Sequence, residues 1–545
     1  MTSTLIYFVL APILIGVFLY LFHLKRATRI IALLSQFVIF FASIFLFIEA
    51  KGLSKLGYKG ELLGLSGMIY SIGNFHENLG ITLVADTLSA VFIMLTAFFF
   101  LIAVIYSYND ENSPLFWFLL FLWQSSLMGI FLSSDLFNIF VMIEVGVLVV
   151  AILIMFNRKK RSLYDGMIYL MINTIAMQFY LFGVGYVYKY AGTLNLYEVN
   201  TVFTQINPEY LVLPYVLIMT FTVLKCALLP LFSWLPKAHG TPGSPGTVSA
   251  VLSGLHIKSS IYLFLRFQYV FEGIAITEFF MVLGILTAIF GFIMALGQKD
   301  LKLILAYHTI SQVGLIFTGL NLGGPYSYLG ALYHMFNHAI FKSTLFLASN
   351  IIYKYYGTRN VYEIRGVFKT MPTVAVATLL AVFGIMGTPI FNGSISKYFI
   401  ASGTYGLMNY VLIFMSLGTI ISFIKFSTIL FGAPKTLPTD TPKKVDLMQQ
   451  LPIIILGTIC FFGGLFGSAF IYFLFDVRLS VNPAGYLEKS FIFFLSLLTG
   501  YALYRFYVKK SKLLKKLGTM ELGFREMVVS IGTFFIILLV TVGFM

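Results

Sequence analysis

Charge is what this sequence has least of. Only 10% of its 545 residues are Asp, Glu, Lys or Arg, whereas 59% are hydrophobic and the mean hydropathy is +0.92. A soluble globular domain carries about 25% charged residues, so that class is excluded. Cysteine is nearly missing. Cys226 and Cys460 are the only two, both inside apolar stretches, which excludes a CxxC pair, an iron–sulfur ligand set and a disulfide framework. No GxGxxG or GxxxxGK[ST] motif occurs. The chain is therefore expected to hold no nucleotide, no redox cofactor and no resident metal of its own. The first apolar stretch, Leu5 to Leu21, has no Lys or Arg before it and no small-residue cleavage site after it, so it is expected to be a mature helix and not a signal peptide.

What the sequence has in abundance is apolar stretches able to cross about 30 Å of hydrocarbon. Cutting at these runs predicts sixteen spans, at 4–22, 29–50, 81–107, 115–132, 135–156, 165–189, 210–236, 247–268, 276–297, 301–320, 327–352, 372–402, 408–431, 451–475, 488–508 and 526–544. The fold class expected is an all-α polytopic membrane protein with about 14–16 transmembrane helices. The net charge of +15 does not point to nucleic acid. Of the 36 Lys and Arg, 24 fall on one side of the spans, seven on the other and five inside them, as the positive-inside rule predicts for a chain whose N-terminus is outside. The expected location is the cell membrane. The basic stretch Lys509–Lys516 reads as a surface-lying helix on anionic lipid or as a solvated linker.

Two spans are interrupted. The seventh contains Lys225-Cys-Ala-Leu-Leu-Pro230 and leads into the Gly/Pro-rich run His239–Gly246; the twelfth contains Gly387-Thr-Pro389-Ile-Phe-Asn-Gly393-Ser-Ile-Ser-Lys397. Proline removes a backbone donor and clashes with the preceding turn. At membrane depth such breaks survive only where protein or water satisfies the freed groups. Broken spans in corresponding positions point to inverted repeats around a transport site. The expected organisation is spans 1–3 in 1–110, a first five-helix repeat in 111–270, a second in 271–432 and the C-terminal spans in 433–545.

Ten ionisable side chains fall inside apolar spans: Glu144, Lys225, His256, Lys258, His308, His334, His338, Lys342, Lys397 and Lys425. An unpaired charge at mid-membrane costs at least about 2.5–3.5 kcal/mol. Glu144 is the only deep carboxylate; Asp135 and others sit near span ends. Lys225 is its natural partner, either as a transport pair or as a static ion pair. Lys258 is a second amine one span on. His256, two residues earlier, points elsewhere and reads as a packing histidine or a proton carrier. His334, His338 and Lys342 are spaced i, i+4, i+8 and share one helix face over about 12 Å. They suit a proton path or, as the rival, a zinc site with no carboxylate nearby. His308 lies beside Ser311 and Gln312. Lys397 is expected buried at mid-membrane, lining a polar cavity, and Lys425 is either an exit group or a snorkelling lysine.

These residues sit in ordered motifs: Asp135-Leu-Phe-Asn with Glu144; Lys225 followed by Pro230-Leu-Phe-Ser-Trp-Leu-Pro-Lys-Ala-His239; Leu252-Ser-Gly-Leu-His-Ile-Lys258; Ala306-Tyr-His308-Thr-Ile-Ser-Gln-Val-Gly314; and Asn337-His338-Ala-Ile-Phe-Lys342. The chain resembles the antiporter-like subunits of Mrp cation/proton antiporters, respiratory complex I and membrane-bound hydrogenases over about Leu115 to Lys397. The resemblance implies an inverted-repeat fold, a Glu–Lys pair at Glu144 and Lys225, a bridging Lys258, histidines at 308, 334 and 338, a terminal Lys397, and work inside a multisubunit complex with other membrane subunits. The Asp135 motif resembles the D-type Mrp subunit, and the run after His239 resembles hydrogenase-associated relatives. Lys237 stands where the family usually has Asp, and the second break lacks one of the family's prolines. The function expected is translocation of protons and a cation, sodium foremost, across the lipid bilayer in a Mrp-type complex. The alternative is a pumping subunit of a redox-driven complex.

Overall fold

The computed structural model describes residues 4–22, 25–53, 67–75, 80–110, 112–242, 244–434 and 444–544. Most of the Gly-rich segment between Lys51 and Gly80 lies outside the described residues, as do Gly243, Pro438, Pro442 and the loop charges Lys55, Lys59, Lys435 and Lys443.

Each predicted span is found as helix. In chain order the elements are α1 (Leu5–Leu21), α2 (Lys25–Leu53), β1 (Met68–Ser71), β2 (Thr82–Ala85), α3 (Thr87–Tyr106), α4 (Pro114–Leu132), α5 (Leu136–Ile154), α6 (Lys160–Ala191), α7 (Leu196–Phe203) and α8 (Pro208–Lys225). Then come α9 (Trp234–Gly240), α10 (Gly246–Val251), a π-helical turn at Leu252–His256, α11 (Ile257–Val270), α12 (Thr277–Gly297), α13 (Leu301–Asn321), α14 (Pro325–Tyr356) and α15 (Val367–Thr370). The remainder are α16 (Pro372–Met386), α17 (Asn392–Ile400), α18 (Leu407–Ser427), α19 (Leu447–Leu465), α20 (Gly467–Phe475), α21 (Pro483–Leu503), α22 (Lys512–Leu517) and α23 (Phe524–Gly543). Among the described residues, 13 helical segments are long and apolar enough to cross a membrane.

Several boundaries shift by a few residues from the sequence reading, and two departures have a visible cause. The span expected to begin at 81 begins at Thr87, because residues 82–85 pair antiparallel with β1 (Met68 opposite Ala85) and Asp86 caps α3 by accepting from Ser89 N at 2.8 Å. The span expected over 451–475 is two helices. Gly464, beside their junction, packs so tightly on the Ile390 carbonyl that a Cβ there would lie 1.9 Å from its oxygen. The basic stretch Lys509–Lys516 contains the short helix α22, which packs on α12 through close backbone contact of Gly297 with Leu514 and Gly518.

α13, the α10–α11 segment and α14 form the buried centre; α1, α2, α21 and α23 turn broad apolar faces outward. Without a hydrophobic drive between helices in lipid, close packing depends on small residues. The α12–α13 seam uses them: a Cβ on Gly291 would lie 2.5 Å from Ser311 N, and one on Gly314 2.4 Å from Ala288 N.

Candidate functional site

Both breaks find local partners for backbone groups, although Thr388 Oγ1 at the second is buried without a partner among the described residues. After α8 the chain passes Ala227, at φ 54, to the cis Leu229–Pro230 bond; Leu229 N donates to Thr287 Oγ1 on α12 at 3.0 Å, and Trp234 Nε1 donates to Leu224 O at 2.8 Å. After α16 the chain turns through Gly387 at φ 82 and Ile390 at φ 76. A β-branched residue at positive φ is strained, and such strain concentrates at functional segments. Ile390 N donates to Tyr486 Oη at 2.9 Å. The carbonyls of Ile385 and Met386 both accept from Lys397 Nζ, at 3.0 and 3.1 Å, so the lysine caps the half-helix that the break created.

Lys225, on the last turn of α8, is buried and donates to Asn173 Oδ1 at 3.0 Å. Asn173 in turn donates to Tyr169 O at 2.8 Å. The direct Glu144–Lys225 ion pair expected from the sequence is replaced by this arrangement: the two charges lie within electrostatic range, but Asn173 on α6 supplies the lysine's hydrogen bond. Glu144 lies on the outward stripe of α5 with Phe137, Val141, Leu148 and Ile152, all exposed. Its Oε2 is nevertheless buried and without a hydrogen-bond partner.

His256 is fully engaged. Trp123 Nε1 donates to its Nδ1 at 3.3 Å, and its Nε2 meets Tyr169 Oη at 3.4 Å. Because an indole N–H can only donate, Nδ1 is the acceptor and the ring is the neutral Nε2–H tautomer. That is the packing reading of His256.

Lys258 follows the π-helical turn and is wholly buried. Its Nζ donates to Ser253 O and lies 2.6 Å from His338 Nδ1 on α14. Lys342, one turn along, donates to Leu305 O at 2.7 Å and sits 5.9 Å from the Phe423 ring centroid. His308 packs edge-on against that same Phe423 at 4.6 Å, and neither of its ring nitrogens has a partner. His334 links elsewhere. Its Nε2 donates to Gln312 Oε1 at 3.0 Å and its Nδ1 meets Ser396 Oγ at 2.8 Å, immediately before Lys397. The three residues predicted to stack on one helix face thus reach three different neighbours, α17 with α13, α11, and α13 alone. Among the described residues no group of three His, Cys, Asp or Glu gathers into a metal-sized cluster.

Lys397 is partly buried and lines a cavity of about 100 Å³ with Gly387, Ser394, Asn409, Tyr486 and Lys489. The walls are mostly apolar, from Leu315, Leu412, Ile413 and Phe493, and not polar as expected. Lys425 is buried and donates to Ala295 O, Leu296 O at 2.7 Å and Gln298 O. It neither snorkels nor lines this cavity; it caps the C-terminus of α12, where carbonyls and helix dipole favour a cation. Asp135 is the N-cap of α5, accepting from Asn138 N at 2.6 Å. Sequence reasoning does not find Asn173, Ser396 or the buried pair Arg266–Asp86, 2.5 Å apart; along the chain Arg266 reads as a topology charge.

A helical membrane bundle with two broken helices and a buried line of amines and imidazoles between them defines an antiporter-like membrane protein. The chain belongs to the NADH:quinone oxidoreductase/Mrp antiporter transmembrane family, whose model matches residues 133–422. It is 28% identical over 511 residues to the D-type subunit of the Na(+)/H(+) antiporter of Alkalihalophilus pseudofirmus, covering 90% of this chain and 99% of that one. It is 34% identical over 346 residues to the N-type subunit of the NADH-quinone oxidoreductase of Desulforudis audaxviator, covering 61% and 68%. In fold it matches a chain of the Mrp complex from Dietzia with a TM-score of 0.79 at 22% identity, and a chain of the membrane-bound sulfane sulfur reductase, an archaeal respiratory membrane complex, with 0.76 at 20%. Each match covers 91% of this chain and 99% of the other.

Proposed function

We propose that this chain translocates protons, in exchange for sodium, as one member of a Mrp-type complex in the cell membrane, with its N-terminus outside. The observation that carries the reading is the Lys258–His338 contact of 2.6 Å, buried between α11 and α14. An ammonium sharing a proton with an imidazole at that depth is a transfer pair more readily than a stabilising one, since two bases attract only through the proton between them. Around it the order Glu144, Lys225, Lys258, His338, His334, Lys397 runs from one broken helix to the other. The 111–270 unit supplies the first half of this order and the 271–432 unit the second. Orphaned ring nitrogens on His308 and His338 leave donors and acceptors for water between the groups. Each lysine changes charge as a proton passes, and the altered field favours release at the next group.

The exposed stripe of α5 supports the multisubunit part. A carboxylate on a face bordered by Val141 and Leu148 is costly against lipid. A second membrane subunit covering that face would remove the cost.

A second reading makes the chain the pump of a redox-driven complex, which the likeness to a quinone oxidoreductase subunit supports. One experiment separates them. The complex is purified, its subunits are identified and it is reconstituted in vesicles under a sodium gradient. Proton counterflow without added reductant and without iron–sulfur subunits supports antiport. Flux only with electron donor and acceptor supports the redox pump, and flux in neither condition overturns translocation.

A further inference from the structure

At each break a backbone N–H meets a hydroxyl from another helix: Leu229 N donates to Thr287 of α12, and Ile390 N donates to Tyr486 of α21. The second arrangement is the more exacting. Tyr486 Oη accepts from Ile390 N at 2.9 Å and lies 2.8 Å from Ser394 Oγ, on the first turn of α17. Ser394 Oγ donates its own proton to Phe391 O at 2.7 Å, so it accepts from the tyrosine O–H. The Tyr486 hydroxyl thus serves as acceptor and donor at once, and the three bonds bracket residues 390–394. Phenylalanine in place of Tyr486 would keep the ring's edge contact with Tyr398, at 5.8 Å between centroids, and take the acceptor from the Ile390 N–H. Ile390 stands at φ 76; a proline there could neither adopt that angle nor donate.

What this bracket holds in place is the acceptor pair of Lys397. The Ile385 and Met386 carbonyls that receive its Nζ lie before the break, and the lysine lies after it, one turn beyond Ser394. The chain between them has to keep its course for the amine to reach across, and the fit is close: a Cβ on Gly387 would lie 3.1 Å from Lys397 Cδ. α21 is otherwise loosely attached. Of its own residues only Gly500, toward its far end, is fully buried. Its beginning is tied down by Tyr486, by Asn482 N, which donates to Tyr398 Oη at 3.2 Å, and by Lys489, which donates to Asn409 Oδ1 at 2.7 Å. Tyr398, Tyr486 and Lys489 line the same cavity as Lys397, and among the described residues no carboxylate lines it. From the bundle side, His334 and His308 lie within electrostatic range of Lys397.

We propose that Tyr486 is a positioning residue for translocation: its hydroxyl holds the second break in the course that keeps both carbonyls on Lys397. The proposal rests on the translocation reading above. It is tested in the whole complex, reconstituted in vesicles, with the assembled complex quantified and proton flux measured across a range of pH. A loss of folded complex scales flux equally at every pH, whereas a displaced Lys397 changes the shape of the profile. Tyr486→Phe is expected to assemble, to lose flux by about tenfold, a scale on which misplaced groups cost rate, and to move the pH of half-maximal flux by about half a unit or more. Ser394→Ala removes a second link of the bracket and is expected to move the profile in the same direction. The double variant is expected to go no further than Tyr486→Phe, since both break one hydrogen-bonded unit. A profile of wild-type shape in Tyr486→Phe overturns the proposal: with full flux the hydroxyl is idle, and with reduced flux it serves packing alone. Effects of the two variants that multiply overturn it as well. If Tyr486→Phe fails to assemble, the profile of Ser394→Ala decides by the same criterion. Glu144→Gln is measured in parallel. If that variant retains flux, the translocation reading fails, whatever Tyr486 does.

Discussion

Lys258 Nζ and His338 Nδ1 stand 2.6 Å apart, on helices brought together from 80 residues' separation in sequence, and among the described residues neither has a carboxylate hydrogen-bonded to it. Groups that act as a unit are not additive when removed. Lys258→Ala and His338→Ala are each expected to reduce proton flux about a hundredfold, and the double variant no further, with assembly unchanged. Proton uptake by vesicles reads all three, and a double variant that loses the product of the two single effects shows that the residues act separately.

Asn173 holds Lys225 in place of the expected carboxylate. Asn173→Leu leaves the amine without an acceptor, in a region where an unmade bond to a charged group is expensive. Flux should fall to near that of Lys225→Ala while the complex stays assembled, and Asn173→Gln should recover part of it. Undiminished flux in Asn173→Leu removes Asn173 from the account.

Two of the lysines of the second half, Lys397 and Lys425, should separate. Lys397 caps a broken helix beside a cavity, whereas Lys425 caps the intact end of α12. Lys397→Ala should stop transport. Lys425→Met should keep it within about threefold and lower thermal stability in detergent, by the roughly 1 kcal/mol expected of a lost helix-terminal contact.

Arg266 and Asp86 form a buried pair at 2.5 Å between α11 and the cap of α3. Removing one partner strands the other, at a cost of about 3–5 kcal/mol, whereas replacing both with apolar residues is far milder. Arg266→Met should therefore lower the melting temperature more than Arg266→Met combined with Asp86→Leu.

The segment after α22 carries the pH-dependent contact. Glu521 accepts from Arg161 at 2.9 Å and Lys237 at 3.4 Å, and the three residues line one cavity together with Gln298 and Arg359. Burial pushes its carboxyl up, but the Arg161 hydrogen bond and the Lys237 and Arg161 charges outweigh burial and hold it below the usual glutamate value. A depressed carboxylate keeps its contact above the ordinary value, about 4.3, and loses it as pH falls through the lower folded value. Trypsin cleavage at Lys512–Lys516, taken relative to cleavage of an unstructured peptide of the same sequence at each pH, should thus be flat from about pH 8 to 5, where the glutamate stays ionised. Glu521→Gln should raise cleavage across that range. The family's Asp is Lys237 here, and the structure places a carboxylate from the C-terminal segment against it.

The ionisable residues of the two halves were legible because each is costly in an apolar span, and the breaks because proline marks them. Their partners were not. Asn173 looks like any polar residue on a half-buried helix, Ser396 like a helix-start residue, and Arg266 like a flanking charge until folding sets Asp86 against it from 180 positions away. Long-range pairing leaves no local periodicity. The hairpin of β1 and β2 was hidden likewise, since Thr82–Ala85 continues the apolar run into α3 and only the Asp86 cap separates them.

The central claim is that a proton crosses by way of the half-buried acid on α5 and the amines behind it. Glu144→Gln tests it most directly, because the substitution preserves shape, removes the mid-helix carboxylate of α5 and leaves Lys225 bonded to Asn173. With the whole complex reconstituted and a sodium gradient applied, a pH-sensitive dye should report rapid proton movement for the wild type and only leak for the variant, with equal amounts of assembled complex. Proton flux near the wild-type rate in Glu144→Gln contradicts the account.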